Sequence, residues 1–363
     1  MNTVSLPLTD YDTIISGAGP AGIMAARHAA SRGRVLLVES SALPRTKSCG
    51  GMLHEHAQRF LSELADLPDS LIREPSHVHF RYWDWDRGIR KPTALRFLNV
   101  DRREFDEWLL STLPHNVDVL SGATVTGYSE DAEGVTVDLR TGGTMTRARA
   151  ANLIGCDGAR SRIRRSMGVP SVSTYVTLQD HVIARGELEP FFDCIYMRDI
   201  GDAYAYSYVV PKGETAIVGS VYYPKTKRPH ERQDQALEIL RAACPAIGET
   251  VTREASVALY VRNPADVVCG SGRVLLAGEA GGFMSPTSGE GISYALNSGV
   301  LAGKAIARSK PQDALATYQA ESAHISANIR RKLRWLPFME SRAGKYLAGW
   351  VPAPVISQVT RGL

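Results

Sequence analysis

The stretch from Tyr11 to Glu39 constrains the fold more than any other part of this 363-residue chain. Tyr11-Asp-Thr-Ile-Ile-Ser16 is short, apolar and β-branched, as a buried strand is. Gly17-Ala18-Gly19-Pro20-Ala21-Gly22 follows at once, and Ile23 to Ser31 reads as an alanine-rich helix. Gly33 stops that helix, and Arg34 to Glu39 is a second buried strand. Strand, G-x-G-x-x-G turn, helix, strand and acid stand in the order that dinucleotide binding requires. Gly17 permits the tight turn, Gly19 lets backbone approach a pyrophosphate, and Gly22 lets helix and strand pack closely. Ala18, Pro20 and Ala21 fill the rest of the turn, and the helix start offers free N–H groups and a positive dipole end to phosphates. Glu39 lies 22 residues after Gly17, where a carboxylate accepts from ribose hydroxyls. Its charge would repel a 2′-phosphate, which argues against NADP here. The turn alone does not separate NAD from FAD.

Two later motifs bear on that choice. Ala151 to Arg164 is a strand running into Asp157-Gly158 and a short basic helix. Gly272 to Phe283 is another strand, ending in Gly278-Glu279 and more glycine. Both return a carboxylate to the carboxyl end of a parallel strand, where open α/β sheets bind ligands.

With these motifs the sequence resembles the FAD-dependent group-A hydroxylase superfamily, and within it the geranylgeranyl reductase branch. That branch is similar in three further segments: Pro44-Arg45-x-Lys47-x-Cys49-Gly50-Gly51-x-Leu53, Val100-Asp101-Arg102-x-x-Phe105-Asp106-x-Trp108-Leu109, and Gly282-Phe-x-x-Pro286-x-x-Gly289-Glu290-Gly291-Ile292-x-Tyr294. The resemblance runs from about Tyr11 to about Lys332. It implies an α/β fold: a Rossmann-like FAD-binding domain, an inserted antiparallel-sheet substrate domain and C-terminal helices. The FAD-binding domain would comprise 1–75, 98–170 and 265–338, the substrate domain 76–97 and 171–264, and a helical tail 339–363.

The same resemblance implies roles. Glu39 would hold the adenosine ribose, and the strand at Val125 would pass beside the adenine. Arg45 and Arg102 would bracket the ribityl-pyrophosphate region, with Asp157 at the second motif. Cys49 and Gly50 would lie beside the isoalloxazine. Gly278 and Glu279 would meet the ribityl-phosphate arm, and Gly289, Gly291 and Ile292 the flavin N1/O2 edge. Backbone N–H groups at such a helix start stabilise the anionic N1 of reduced flavin. Two departures stand out. Glu279 occupies a position where the family usually has Asp. The branch's Tyr-x-Trp-x-Phe-Pro strand is here Tyr206-Ser-Tyr208-Val-Val210-Pro211.

Composition bounds the rest. Hydrophobic residues make up 44% and charged residues 22%, as in a folded globular protein. The net charge of +4 is uneven. From Ser322 to Leu363 seven basic residues stand against one acid, Glu340, so this stretch is strongly positive and the body nearly neutral. That argues against a nucleic-acid-coating surface, which needs a basic face on the domain itself. Five scattered cysteines without a C-x-x-C pair argue against a disulfide framework or a zinc site and fit a reducing, cytoplasmic setting. His54-Glu-His56 has the wrong spacing for a metal on one helix face. The first ten residues are no secretory signal, and no apolar run is long enough to span a bilayer.

A flavin can reduce an electron-poor alkene or react with oxygen and hydroxylate. The C-G-G loop and G-E-G-I segment favour a reductase or dehydrogenase acting on C=C bonds of an apolar, prenyl or polyene substrate. The altered strand at Tyr208 keeps open a monooxygenase tailoring an aromatic natural product, and a flavin-binding sensor without turnover is a third reading. Cys49, Tyr206 and Tyr208 are the candidate catalytic residues. With one dinucleotide turn only, the reductant is NAD(P)H on a brief visit or a reduced carrier protein. Phe80-Arg-Tyr82-Trp83-Asp-Trp85 either lines an apolar cavity or packs as a hairpin. The basic tail with Trp335 and Trp350 is either a peripheral contact with an anionic membrane or a solvated helix closing the domain. Oligomeric state is left open.

Overall fold

The computed structural model describes residues 10–197, 204–361 and 363. The first strand, Tyr11–Ser16, is central because both its faces are apolar: Ile15 enters one core and Ile14 the other. It pairs in parallel with Val35–Glu39 on one side and Thr144–Gly155 on the other. Val117–Ser121 and Val274–Leu276 extend the parallel sheet at its two sides. One face is covered by the helices Pro20–Ala29 and Ile292–Arg308. An antiparallel ribbon, Ala123–Glu130 with Val135–Thr141, pairs onto Thr144–Gly155 and closes the second core. This is a mixed α/β fold with a Rossmann-type sheet.

A second sheet of eight strands is drawn from 52–54, 72–100 and 174–259. Its neighbours are antiparallel except Phe191–Tyr196, which runs parallel to Ile72–Asp84. The alternation of Ala203 to Val210 and then of Thr215 to Tyr222, across a Pro-Lys-Gly turn, predicts an antiparallel hairpin. It is present as Tyr204–Lys212 against Thr215–Tyr222, with Tyr208 opposite Gly219, and Ala203 lies outside the described residues. The period of two assigns the faces. Leu178, Val182 and Val218 pack under the helix Pro229–Ala243, while Tyr175, Thr177, Tyr206, Tyr208 and Val221 face a cavity. The aromatic cluster splits in the same way: Phe80 lines the cavity, and Trp83 and Trp85 pack on the helix side.

The tail is folded back onto the body. Its helices are Leu336–Glu340, Arg342–Ala348 and Ala353–Thr360. Ile356 is buried among Val78, Phe80 and Phe97. Lys91 Nζ donates to the carbonyls of Gly349 and Val351, each at 2.8 Å. Among the described residues, no helix is long and apolar enough to cross a membrane.

Candidate functional site

The two sheets enclose a cavity of about 1310 Å³. That exceeds the roughly 300–1,000 Å³ of a site for one drug-sized ligand and leaves room for a dinucleotide with a second molecule.

Its floor is the glycine turn. Gly17 has φ +104 and packs where any Cβ would overlap the Cys156 carbonyl, and Gly22 sits as tightly on the Gly17 carbonyl. Gly19 differs: a Cβ there meets only the Arg45 guanidinium, at 3.0 Å. Gly17, Gly19, Pro20 and Ala21 line the cavity; Ala18 and Gly22 do not. The Ala18 N–H donates to Glu39 Oε2 at 2.9 Å, and Glu39 Oε1 accepts from the Ser41 N–H at 3.0 Å and the Ser40 hydroxyl at 3.1 Å. Glu39 thus fixes the turn as well as lining the cavity, with Val125 on the same wall.

Arg45 and Arg102 line the cavity and share one carboxylate. Asp106 accepts from Arg102 Nε at 2.8 Å and Nη2 at 3.2 Å, and pairs with Arg45 Nη2 at 3.2 Å. Burial opposes the Arg102 charge, but Asp106 and Cys49 together outweigh it and raise the pKa. Arg45 Nε is buried with no hydrogen-bond partner and lies 3.7 Å from Glu39 Oε2. An orphaned cationic donor in a cavity wall fits an anionic ligand. Sequence reasoning quoted Asp106 within a motif but missed its role; the i, i+4 spacing from Arg102 was the available signal.

Asp157 lines the cavity and also holds its own turn. It accepts from Ser161 Oγ at 2.5 Å and from the N–H groups of Arg162 at 2.6 Å and Ile163 at 3.3 Å. Burial pushes its carboxyl pKa up, against those hydrogen bonds. Glu279 uses its extra methylene. Oε2 pairs with Lys47 Nζ at 2.9 Å, and Oε1 accepts the Leu259 N–H at 3.2 Å. The side chain therefore ties the 44–51 loop and the end of strand Ile247–Leu259 to the turn that begins at Gly278. Lys47 was not singled out from sequence. Replacing Glu279 with Asp is expected to release Lys47, leave FAD affinity equal or tighter, and speed limited proteolysis within 44–51. Markedly weaker binding in a flavin titration would show that the site is built around glutamate.

Cys49, Gly50, Gly278, Gly289, Gly291 and Ile292 also line the cavity. Cys49 Sγ accepts the Gly51 N–H at 3.5 Å. Lys212 Nζ pins the same loop, donating to Asn99 Oδ1 at 2.5 Å, Val100 O at 2.9 Å and Gly51 O at 3.5 Å. Gly291 is the N-cap of the helix Ile292–Arg308 and has no side chain of its own to cap it, so the helix start presents the positive end of its dipole to the cavity. Glu290 Oε1 accepts the Ser293 N–H at 2.7 Å, whereas Oε2 is buried without a partner.

The roof is aromatic. Phe192 meets Phe80 at 5.5 Å, Phe97 at 6.1 Å and Tyr208 at 6.0 Å between ring centroids. Tyr206 continues the chain to Tyr208 at 6.2 Å and Tyr196 at 6.3 Å. Burial raises the pKa of both Tyr206 and Tyr208, so each is a neutral phenol able to donate a proton. Thr177, Glu254 and Ser256 give one side of this roof a polar edge.

Near the loop, His54 caps the helix Glu55–Ser62 by accepting the His56 N–H at Nδ1, 3.3 Å away. Burial lowers its pKa to about 4. The unfolded chain would bind this proton near pH 6.5 and the folded chain would not, so stability falls as pH drops from about 6.5 to 4, by on the order of 3 kcal/mol at most. His54→Asn keeps an N-cap acceptor and removes the titration. Its acid unfolding curve should be flatter over that range; an unchanged curve would assign the acid sensitivity elsewhere. Among the described residues, no group of three or more His, Cys, Asp or Glu is placed to hold a metal ion.

A parallel sheet with a glycine turn at its carboxyl edge, an unsatisfied arginine above it and a roofed cavity beyond defines an FAD-dependent flavoprotein. The family model described as an FAD binding domain matches residues 10–332, and the chain belongs to that family, the group A flavoprotein hydroxylases. The protein CbrA of Escherichia coli strain K12 is 31% identical over 294 residues, covering 79% of this chain and 82% of CbrA. A geranylgeranyl bacteriochlorophyll reductase-like protein of Thermoplasma acidophilum has the same fold, with a TM-score of 0.80, 20% identity, and 98% of this chain and 92% of that one covered. The flavin-dependent brominase Bmp2 follows at a TM-score of 0.75 and 18% identity, with 97% and 92% covered.

Proposed function

We propose that this FAD-dependent enzyme is a reductase or dehydrogenase of the geranylgeranyl reductase type, acting on C=C bonds of an apolar prenyl or polyene substrate. The observation that carries the reading is the roof of Phe80, Phe97, Phe192, Tyr196, Tyr206 and Tyr208 over the dinucleotide cradle. Apolar and aromatic walls with few polar groups suit a ligand bound by its hydrocarbon surface. FAD, when bound, supplies two-electron exchange with the substrate. The glycine turn, Arg45 and Arg102 would hold its pyrophosphate, and the positive end of the helix that starts at Gly291 would face the negative charge of its reduced ring.

Adding hydrogen across a C=C bond also needs a proton, for which Tyr206 and Tyr208 are the neutral donors at the roof and Cys49 the thiol below it. Tyr206→Phe and Tyr208→Phe preserve the wall, so only the variant that removes the donor should lose about 10²-fold or more in kcat. If neither phenylalanine variant slows turnover, the proton comes from elsewhere. NAD(P)H or a reduced carrier protein would bring the electrons, and such a substrate places the work at or beside a lipid phase.

The polar edge of Thr177, Glu254 and Ser256 favours one second reading, a monooxygenase-type enzyme whose substrate is a hydroxylated aromatic ring. Reduced enzyme mixed with prenyl substrates under nitrogen separates the two. Recovery of oxidised-flavin absorbance together with a saturated product supports the reductase. A strict requirement for oxygen would sink it in favour of the second reading.

A further inference from the structure

Among the described residues, most of the exposed large apolar side chains fall in one stretch of the chain, 335–355. Trp335, Phe338, Tyr346, Leu347, Trp350 and Val355 are all exposed, Trp350 by 70%, whereas Met145, Ile183 and Val251 are scattered. Helices Ala323–Leu333 and Leu336–Glu340 run nearly continuously, since the Trp335 N–H donates to the Lys332 carbonyl and the Met339 N–H to the Trp335 carbonyl, each at 3.0 Å. Arg331, Arg334, Trp335 and Phe338 therefore fall at i, i+3, i+4 and i+7 on one face, and all are exposed. Tyr346 and Trp350 flank the Arg87 guanidinium at 4.4 and 5.6 Å. Glu340, the only acid from Ser322 to Leu363, is turned inward, accepting from Tyr260 Oη at 2.6 Å and pairing with Arg262 at 3.1 Å.

The inner side of this segment belongs to the site. Met339 and Thr360 line the cavity. Thr287 Oγ1 donates to the Val359 carbonyl at 2.8 Å, and Lys332 Nζ bridges Ser285 Oγ, at 3.1 Å, and the Arg361 carbonyl. One short stretch is a cavity wall on one side and an arginine- and tryptophan-bearing apolar face on the other.

We propose that this face docks on an anionic lipid bilayer, with Trp335, Phe338 and Trp350 at headgroup level and Arg330, Arg331 and Arg334 against lipid phosphates, and that apolar substrate passes from lipid to the cavity beside Met339. Tryptophan with arginine at an exposed helical face is the interfacial pattern. Charge selects the bilayer over a second copy of the chain, because two such basic segments repel. The docking stands on the face alone; the substrate route rests on the apolar-substrate reading.

The test uses the full-length holoenzyme with vesicles of phosphatidylcholine, alone or mixed with phosphatidylglycerol. Sedimentation with the mixed vesicles only, reversed by salt, is the expected result. Each arginine at the surface contributes about fivefold, so Arg330→Gln, Arg331→Gln and Arg334→Gln together should weaken binding about a hundredfold. Trp335→Ser with Trp350→Ser should abolish it while flavin absorbance and melting temperature stay unchanged. No sedimentation with either vesicle, or a dimer that the tryptophan variants dissociate, would overturn the docking. The route is read separately. The tryptophan variant should lose turnover of vesicle-held substrate and keep it for detergent-dispersed substrate. Equal loss of both would overturn the route, and absence of turnover by the native enzyme would overturn the substrate reading while leaving vesicle binding intact.

Discussion

Gly19→Glu is expected to give a folded protein that carries no flavin. The position is specific. A side chain at Gly17 or Gly22 would collide with backbone, but at Gly19 it meets only the mobile end of Arg45 and points into the cavity. The fold therefore tolerates the change and the ligand does not. A carboxylate about 4 Å from a pyrophosphate costs on the order of 4 kcal/mol at an effective dielectric of 20, close to a thousandfold in affinity before steric overlap is added. The introduced acid would also pair with Arg45 and satisfy the donor left open for the ligand. Visible flavin absorbance of the purified variant and a flavin titration measure the loss, with circular dichroism as the check on folding. A full flavin spectrum from this variant would refute the assignment of the turn. Gly22→Glu, in contrast, should fail to fold.

Asp106→Ala should still fold but with a large loss of stability. Asp106 is buried and neutralises Arg45 and Arg102 together, whose side chains are 14% and 10% exposed. Removing the shared acid leaves Arg102 without a carboxylate and Arg45 with only the 3.7 Å contact to Glu39, and breaking a buried pair in this way costs about 3–5 kcal/mol. Urea unfolding of the flavin-free protein should show that drop. Saturating FAD should recover part of it, because a bound pyrophosphate supplies anions to the same arginines and binding stabilises by mass action. The pair Asp106→Leu with Arg102→Met should be less damaging than the sum of the single changes. Equal stability of Asp106→Ala and the native chain would mean that water already solvates both arginines.

Both expectations rest on residues of different legibility. Gly19 is readable from sequence because a strand, a glycine turn and a helix are set by neighbouring residues, through periodicity and backbone freedom. The same holds for the hairpin around Lys212-Gly213, found where the alternation places it. Asp106 was half legible: its spacing from Arg102 is local, but its contact with Arg45 is not. The Lys47–Glu279 pair joins residues 232 positions apart and has no local signal. Glu39 is a milder case, since its expected place beside the ribose gave no hint that it also holds the turn through the Ala18 N–H.

The sequence by itself determined the dinucleotide turn, the parallel sheet built on it, the superfamily and the motif residues that stand in the cavity wall, because each is encoded in short motifs. Tertiary structure alone decided what those motifs enclose. It stacked Phe80, Phe192, Tyr206 and Tyr208, from three separate strands, into one roof, since strands far apart in the chain become neighbours only when the second sheet forms. It also decided the tail. As a string of letters, basic residues beside tryptophans suit a solvated helix as well as a lipid surface, and the commoner of the two is the solvated helix. Burial of Ile356 and the anchoring of Val359 and Arg361 turn one side inward as a wall, which leaves Trp335 and Trp350 on the other side facing solvent.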